Sequence, residues 1–507
     1  MSWHMQISGE GKNHVERSAY WMLKTEGVQR TIMKLVASIM VLSWFSCSNK
    51  PSGHRPPNIL FIAIDDLRPV LGCYGNKTMI SPVMDSLAMA GVLFENAYCQ
   101  EAVCNPSRAS LMTGRRPDNI GVWTLKTHFR EKNPDAITLP QFFKERGYSS
   151  REVGKIYHDG AYFKDPVSWS GESFYNVTQN DPGHKYNLEE NLIPPRSKAA
   201  ATEEAAVSDS AYIDGKVADA AIRLLNELKD TSFFLAVGFR RPHLPFSAPK
   251  KYWDYYQRSD FAEELTHLNA PEGTPVLAMT NSNELRGYED IVSEGPIDVD
   301  KQLELLHGYY ASTSYVDAQI GKLMKTLRQL DLATNTIVVL WSDHGYHLGD
   351  FGLWCKSTNF EAATRVALLF SGGPIVRNRK ENAIVELLDV YPTLVDLAGF
   401  PVPDYVQGNS IKPMLLGQEM DKDPVALSQF VRPYAAINQQ DPQIMGYSIR
   451  TPDYRFTEWR KFPEMDVIDR ELYDLHESRI EAINLAQRKE FQPLMDSLAV
   501  KIDQIRN

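Results

Sequence analysis

The sequence predicts an α/β protein: a large sheet flanked by helices, then a smaller C-terminal antiparallel sheet with a packed helix. Three observations carry this. Apolar runs of strand length alternate with stretches of helical spacing. Charged or metal-ligating side chains follow several runs at their C-terminal ends, the edge where open α/β sheets bind ligands. Beyond about residue 415 the alternation gives way to short mixed segments that include a hairpin.

Taken in order, Asn58-Ile59-Leu60-Phe61-Ile62-Ala63-Ile64 is an unbroken apolar run after Pro57 and reads as a buried parallel strand. Asp65-Asp66 follow it, either as a solvated turn or as a pair of hard oxygen ligands for Ca²⁺ or Mg²⁺. Ser81 is expected to cap a helix that begins at Pro82. Thr138 to Gly147 reads as a helix closed by its glycine, and Lys155 and His158 stand just beyond it, after Gly154. Asp214 to Leu228 has helical spacing, and Ser232 to Gly238 is the next strand. That strand leads into Pro242-His243-Leu244-Pro245, a stiff extended loop. An amphipathic helix from Tyr309 to Leu330 precedes a strand over Thr336 to Trp341, followed by Ser342-Asp343-His344-Gly345. Arg365 to Phe370 reads as a strand and Val390 to Ala398 as a helix stopped by Gly399. The hairpin turns at Thr451-Pro452-Asp453, and a helix ends the chain.

The 507 residues give room for three parts: an extension over 1–47, a large α/β domain over 55–415 and a smaller α+β subdomain over 416–507. Within the extension, Met33-Lys34 leads into a dozen apolar residues and then Ser48-Asn49-Lys50-Pro51, the pattern of a secretory signal. Ser46-Cys47 is similar to the end of a bacterial lipoprotein signal, although Trp44 stands where leucine is usual. A lipid anchor at Cys47 is therefore the one membrane attachment expected, on an exported, periplasmic protein whose mature chain begins near residue 48. The net charge of −10 argues against a nucleic-acid partner, and an anionic substrate would need a local basic pocket. Five cysteines without paired spacing argue against a disulfide framework.

The stretch with the most chemistry is Val103-Cys104-Asn105-Pro106-Ser107-Arg108-Ala109-Ser110-Leu111-Met112-Thr113-Gly114-Arg115-Arg116. Pro106 fits a first helical turn, Gly114 a helix end, and Cys104 is expected just before the N-terminus, where free N–H groups favour an anion. Arg108, one turn on, is placed to reach back toward whatever residue 104 binds. Alone, Cys104 reads equally as a buried structural cysteine.

Cys-x-Pro-Ser-Arg with its Leu-Met-Thr-Gly-Arg-Arg-Pro continuation resembles the signature of the type I sulfatases, in which that cysteine is oxidised to formylglycine (3-oxoalanine). The resemblance covers most of residues 57–490. Asp343-His344-Gly345, Trp354-Cys355-Lys356 and Gly114-Arg115-Arg116-Pro117-Asp118 make it most similar to the iduronate-2-sulfatases. It implies an alkaline-phosphatase/sulfatase-like large mixed sheet. It also implies a dication, Ca²⁺ before Mg²⁺, held by Asp65, Asp66, Asp343, His344 and residue 104, and a sulfatase-maturating enzyme as partner. The implied substrate is a sulfated glycosaminoglycan oligosaccharide of the heparin or chondroitin type, cleaved at the 2-O-sulfate of a terminal, perhaps unsaturated, uronic acid. The hydrated aldehyde would attack sulfur, with Arg108 and Lys155 stabilising charge and His158 as base in the elimination. His243 and Lys356 would hold the sulfate and protonate the leaving oxygen. Two rivals stand beside this: a phosphohydrolase of the alkaline-phosphatase superfamily and a non-catalytic glycan-binding relative.

Overall fold

The computed structural model describes Met1 and residues 55–174, 185–193, 198–265, 269–433 and 442–506. The expected signal and Cys47 lie outside the described residues. Among those described, no helix is long and apolar enough to cross a membrane, and Cys73, Cys99, Cys104 and Cys355 are free thiols.

Pro56–Asn507 form one compact unit. At its centre is an eight-stranded mixed sheet of β1 (Asn58–Ile64), β2 (Gly91–Tyr98), β3 (Ser149–Gly154), β4 (Phe233–Phe239), β5 (Thr336–Ser342), β6 (Arg365–Val366), β7 (Leu368–Ser371) and β8 (Arg379–Glu386). Four strands run parallel as neighbours in the order β5-β1-β4-β3. Next to β5, the chain of β6 and β7 runs antiparallel to β2, and β8 pairs with β2 in parallel.

The two-residue period of β1 decides the layers. Ile59, Phe61 and Ala63 face one side, where they share a core with helix α2 (Cys104–Thr113), the Leu139–Glu145 helix and α5 (Val390–Leu397). Leu60, Ile62 and Ile64 face the other, against α1 (Pro82–Met89), α3 (Ile213–Leu228) and α4 (Val299–Gln329). Both faces are covered, so β1 is apolar from Ile59 to Ile64 and wholly buried. Each large aliphatic side chain there contributes about 1.5–3 kcal/mol over its exposed state.

The C-terminal sheet is antiparallel, in the order β9 (Ala426–Arg432), β10 (Ile444–Arg450), β11 (Tyr454–Lys461) and β12 (Val467–Asp474). Phe430, Met445, Ile449 and Phe456, with Met495 and Ile502 of α6 (Gln492–Arg506), join the same core as Phe61 and Met112.

Two local expectations are corrected. Ser81 makes no side-chain cap of α1; its hydroxyl serves Gly72 and Asp85. Asp317 of α4 caps that helix instead, accepting from the N–H groups of Val83 and Met84 at 3.1 and 2.7 Å. Cys104 is the first residue of α2 rather than the one before it, and Val103 is the N-cap, with extended backbone.

Candidate active site

Parallel pairing puts the C-terminal ends of β5, β1, β4 and β3 on one edge. Ile64 lies opposite both Ser342 and Phe239, and Gly154 opposite Gly238. The next residues, Asp343, Asp65 and Arg240, therefore stand in a row, with Lys155 one residue short of it on the neighbouring strand. Asp66 adopts a left-handed turn (φ 61°), a conformation Asp tolerates better than most residues. Its N–H donates to Asp343 Oδ1 at 3.2 Å, and its carbonyl accepts from the Tyr309 hydroxyl at 2.8 Å. The turn brings the second carboxylate inward, so the solvated-turn reading fails: Asp65 and Asp66 are both 0% exposed.

Helix α2 enters from one face of the sheet with Cys104 in its first turn, where unpaired N–H groups give a positive end. The Cys104 Sγ lies 3.6 Å from Asp65 Oδ1, 3.4 Å from His344 Nε2 and 3.7 Å from Lys155 Nζ. Burial pushes its thiol well above the ordinary range, against the pull of Lys155.

Arg108 is completely buried and ties three strand ends together. It donates to Asp343 Oδ2 at 2.8 Å, to Asp65 Oδ1 at 2.9 Å and to the carbonyls of Lys155 and Ile156 at 2.9 Å each. Burial disfavours its charge, but Asp343 and Asp65 outweigh that and raise its pKa. Lys155 is also buried, with Nζ 2.5 Å from Asp65 Oδ2. Burial would raise the Asp65 pKa, yet Lys155, His243 and Arg108 hold it well below the usual carboxylate range.

His344 Nδ1 contacts the Gly345 carbonyl at 2.9 Å, which turns Nε2 toward Asp66 Oδ1 (3.3 Å) and Asp343 Oδ2 (3.6 Å). Donating Nδ1–H to that carbonyl leaves the Nε2 lone pair free for a metal. Lys356 Nζ lies 2.9 Å from Asp66 Oδ2 and 2.8 Å from Glu284 Oε2. His243 Nε2 lies 3.1 Å from Glu284 Oε1. His158 packs its ring edge on Phe163, and its Nδ1 is buried without a partner. Burial and then Lys155 push its pKa down to about 3, so the ring is neutral near neutral pH.

The structure thus gathers Asp65, Asp66, Cys104, Arg108, Lys155, His243, Asp343, His344 and Lys356 in one buried cluster at the strand ends, with His158 buried three residues beyond Lys155. It adds three that sequence reasoning missed. Asp159 accepts from Arg240 at 2.6 Å and lies 3.7 Å from Lys155. Arg240 had a signal, since it directly follows β4, whereas Glu284 lies in an irregular loop with no pattern to mark it.

The donor set fits a hard dication. Ligand atoms of Asp65, Asp66, Cys104 and His243 lie within 4.8 Å of one another, and so do those of Cys104, Asp343 and His344. Three buried carboxylates converge, a costly arrangement without strong positive charge among them. His243 joins that group, although the sequence placed it with the sulfate-holding residues only.

A sulfatase family model matches residues 57–400, and a model described as N-sulphoglucosamine sulphohydrolase, C-terminal, matches residues 349–507. The chain is 35% identical to the iduronate 2-sulfatase of Mus musculus over 478 residues, 80% of this chain and 85% of that protein. It is also 35% identical to the iduronate 2-sulfatase of Homo sapiens over 479 residues, with the same coverage. The crystal structure of a phosphonate monoester hydrolase of Agrobacterium radiobacter superposes with a TM-score of 0.74 at 21% identity, covering 89% of this chain and 95% of that one. That last likeness is one of fold. The chain belongs to the sulfatase family and is a sulfuric ester hydrolase.

Proposed function

We propose that this enzyme removes the 2-O-sulfate from a terminal uronic acid, saturated or unsaturated, of heparin/heparan or chondroitin/dermatan sulfate oligosaccharides. The observation that carries the chemistry is the seat of Cys104: the first turn of α2, within 3.7 Å of Asp65, His344 and Lys155. The 35% likeness to two iduronate 2-sulfatases supports the choice of ester.

In this reading a maturating enzyme converts Cys104 to formylglycine, whose hydrate supplies the attacking hydroxyl. Asp65, Asp66, Asp343 and His344, with residue 104, would hold the dication, and the oxygen-rich set favours Ca²⁺. Bound there, it supplies Lewis-acid neutralisation of the sulfate's charge. Arg108 fixes Asp65 and Asp343 in register and adds positive charge beside residue 104. Lys155 places a second cation on the same side. His158, whose buried Nδ1 is unpartnered, is the base assigned to the step in which sulfate is expelled from residue 104. His243 and Lys356, which share Glu284, hold the sulfate and supply the proton for the departing sugar oxygen. The enzyme works outside the cytoplasm, in keeping with the signal-like segment before Cys47.

The test is sulfate release from defined glycosaminoglycan disaccharides that differ only in sulfate position. Release from 2-O-sulfated uronates is the expected result. Release confined to 6-O- or N-sulfated glucosamine would overturn the assignment.

A further inference from the structure

Glu284 has no role in the scheme above, yet it sits on two of its cations. Its carboxylate bridges them, with Oε1 3.1 Å from His243 Nε2 and Oε2 2.8 Å from Lys356 Nζ. Two oxygens of one anion spanning that pair is the geometry a bound sulfate would use. The backbone that carries the carboxylate is anchored on both sides. Ser282, two residues earlier, takes a left-handed conformation (φ 58°), and its hydroxyl accepts from Trp354 N–H at 2.9 Å. On the other side, Lys198 donates to the Glu284 carbonyl at 2.9 Å. His243 is fixed too, with Nδ1 2.7 Å from the Leu244 carbonyl. The Glu284 side chain is still 21% exposed, so it lines a surface a ligand can reach.

We propose that Glu284 is a specificity-determining residue: a tethered carboxylate that competes with sulfate for the His243/Lys356 pair. This rests on the reading that those two residues hold the sulfate. A sugar sulfate, anchored also by its ring and by residue 104, displaces the carboxylate. A free sulfate ion has fewer anchors and loses the competition more often. Glu284 therefore weakens retention of the product and of other small anions, and it returns to the pair after each turnover.

The probe is inorganic sulfate, titrated calorimetrically into the metal-loaded enzyme and measured independently as an inhibitor of sulfate-ester hydrolysis. Glu284→Gln and Glu284→Ala should each bind sulfate at least about tenfold more tightly, because one negative charge within contact distance is gone. Glu284→Asp, which keeps the charge one methylene farther back, should fall between them and the native enzyme. Unchanged or weaker sulfate binding by Gln and Ala would overturn the proposal, as would an Asp variant that binds as tightly as Gln. Melting temperatures provide the folding control, and the Asp and Ala variants carry the test if Gln fails to fold. The disaccharide panel is separate: a native enzyme that prefers another sugar sulfate overturns the uronate assignment and leaves the sulfate titration readable.

Discussion

Two of the buried charge clusters among the described residues differ in what they surround. One gathers about Glu361, where the large sheet meets the C-terminal sheet. Its carboxylate accepts from Tyr98 at 2.8 Å, Arg450 at 3.2 Å, Arg455 at 2.6 Å and Arg479 at 3.3 Å. Every partner is a donor, and the cluster encloses nothing reactive. Burial would raise the Glu361 pKa, but Arg455 and Arg450 hold it down to about 2. The other cluster surrounds Cys104. There Asp65, Asp66 and Asp343 crowd together, Arg108, Lys155 and Lys356 stand among them, and donor atoms of carboxylates, imidazole and sulfur lie within 4.8 Å. The first cluster, in which Arg455 also contacts Glu481 at 3.2 Å, joins two sheets, whereas the second surrounds a modifiable residue. Burial of charge alone does not mark an active site; here the mark is a set of metal-ligating and basic groups converging on one modifiable side chain.

Substitutions should separate the two clusters cleanly. Cys104→Ala should abolish sulfate release and shift the melting temperature little, since it removes one sulfur atom and leaves the ion pairs of Asp65, Asp343 and Lys155 in place. Retained turnover would sink the nucleophile assignment. Stripping the enzyme with a chelator should likewise remove activity. Ca²⁺ should restore it better than Mg²⁺, and full activity after exhaustive chelation would contradict the metal reading.

Arg455→Met should do the reverse. Removing one partner from a buried pair costs about 3–5 kcal/mol, measured by denaturant unfolding. The turnover number per folded molecule should stay at the native value; a large fall in it would join the two clusters into one. Acid should show a smaller effect of the same kind. The folded pKa of Glu361, about 2, lies below the ordinary glutamate value of 4.5. Its contribution, up to about 3 kcal/mol, is therefore complete above pH 4.5 and is lost as pH falls toward 2. Stability measured across that window should fall less steeply in Arg455→Met than in the native chain.

Legibility in the sequence followed the same division. β1 and β5 were readable because unbroken apolar runs end at Asp65-Asp66 and Asp343-His344, so strand and site announce each other. β3 was not: Ser149-Ser150-Arg151-Glu152-Val153-Gly154 is too polar to show a strand period, and Lys155 and His158 were placed through the family resemblance. β8 was missed for a similar reason. Its Arg379-Lys380-Glu381-Asn382 half is largely exposed, as suits a strand paired with one neighbour. Arg108 was expected to reach back toward whatever residue 104 binds, and the structure engages it with Asp65, Asp343 and two carbonyls, contacts that only the tertiary fold sets. Asp317 displaced Ser81 as the α1 cap because a helix distant in sequence packs there. Glu284 depends on a loop whose course only tertiary packing sets.

The central claim is that an aldehyde derived from Cys104 performs the chemistry. The direct measurement is turnover against the fraction of aldehyde at residue 104, read by peptide mass spectrometry in preparations made with and without a maturating enzyme. The account predicts that sulfate release rises in proportion to aldehyde and vanishes in protein carrying only the thiol. Full turnover by the thiol form would contradict it.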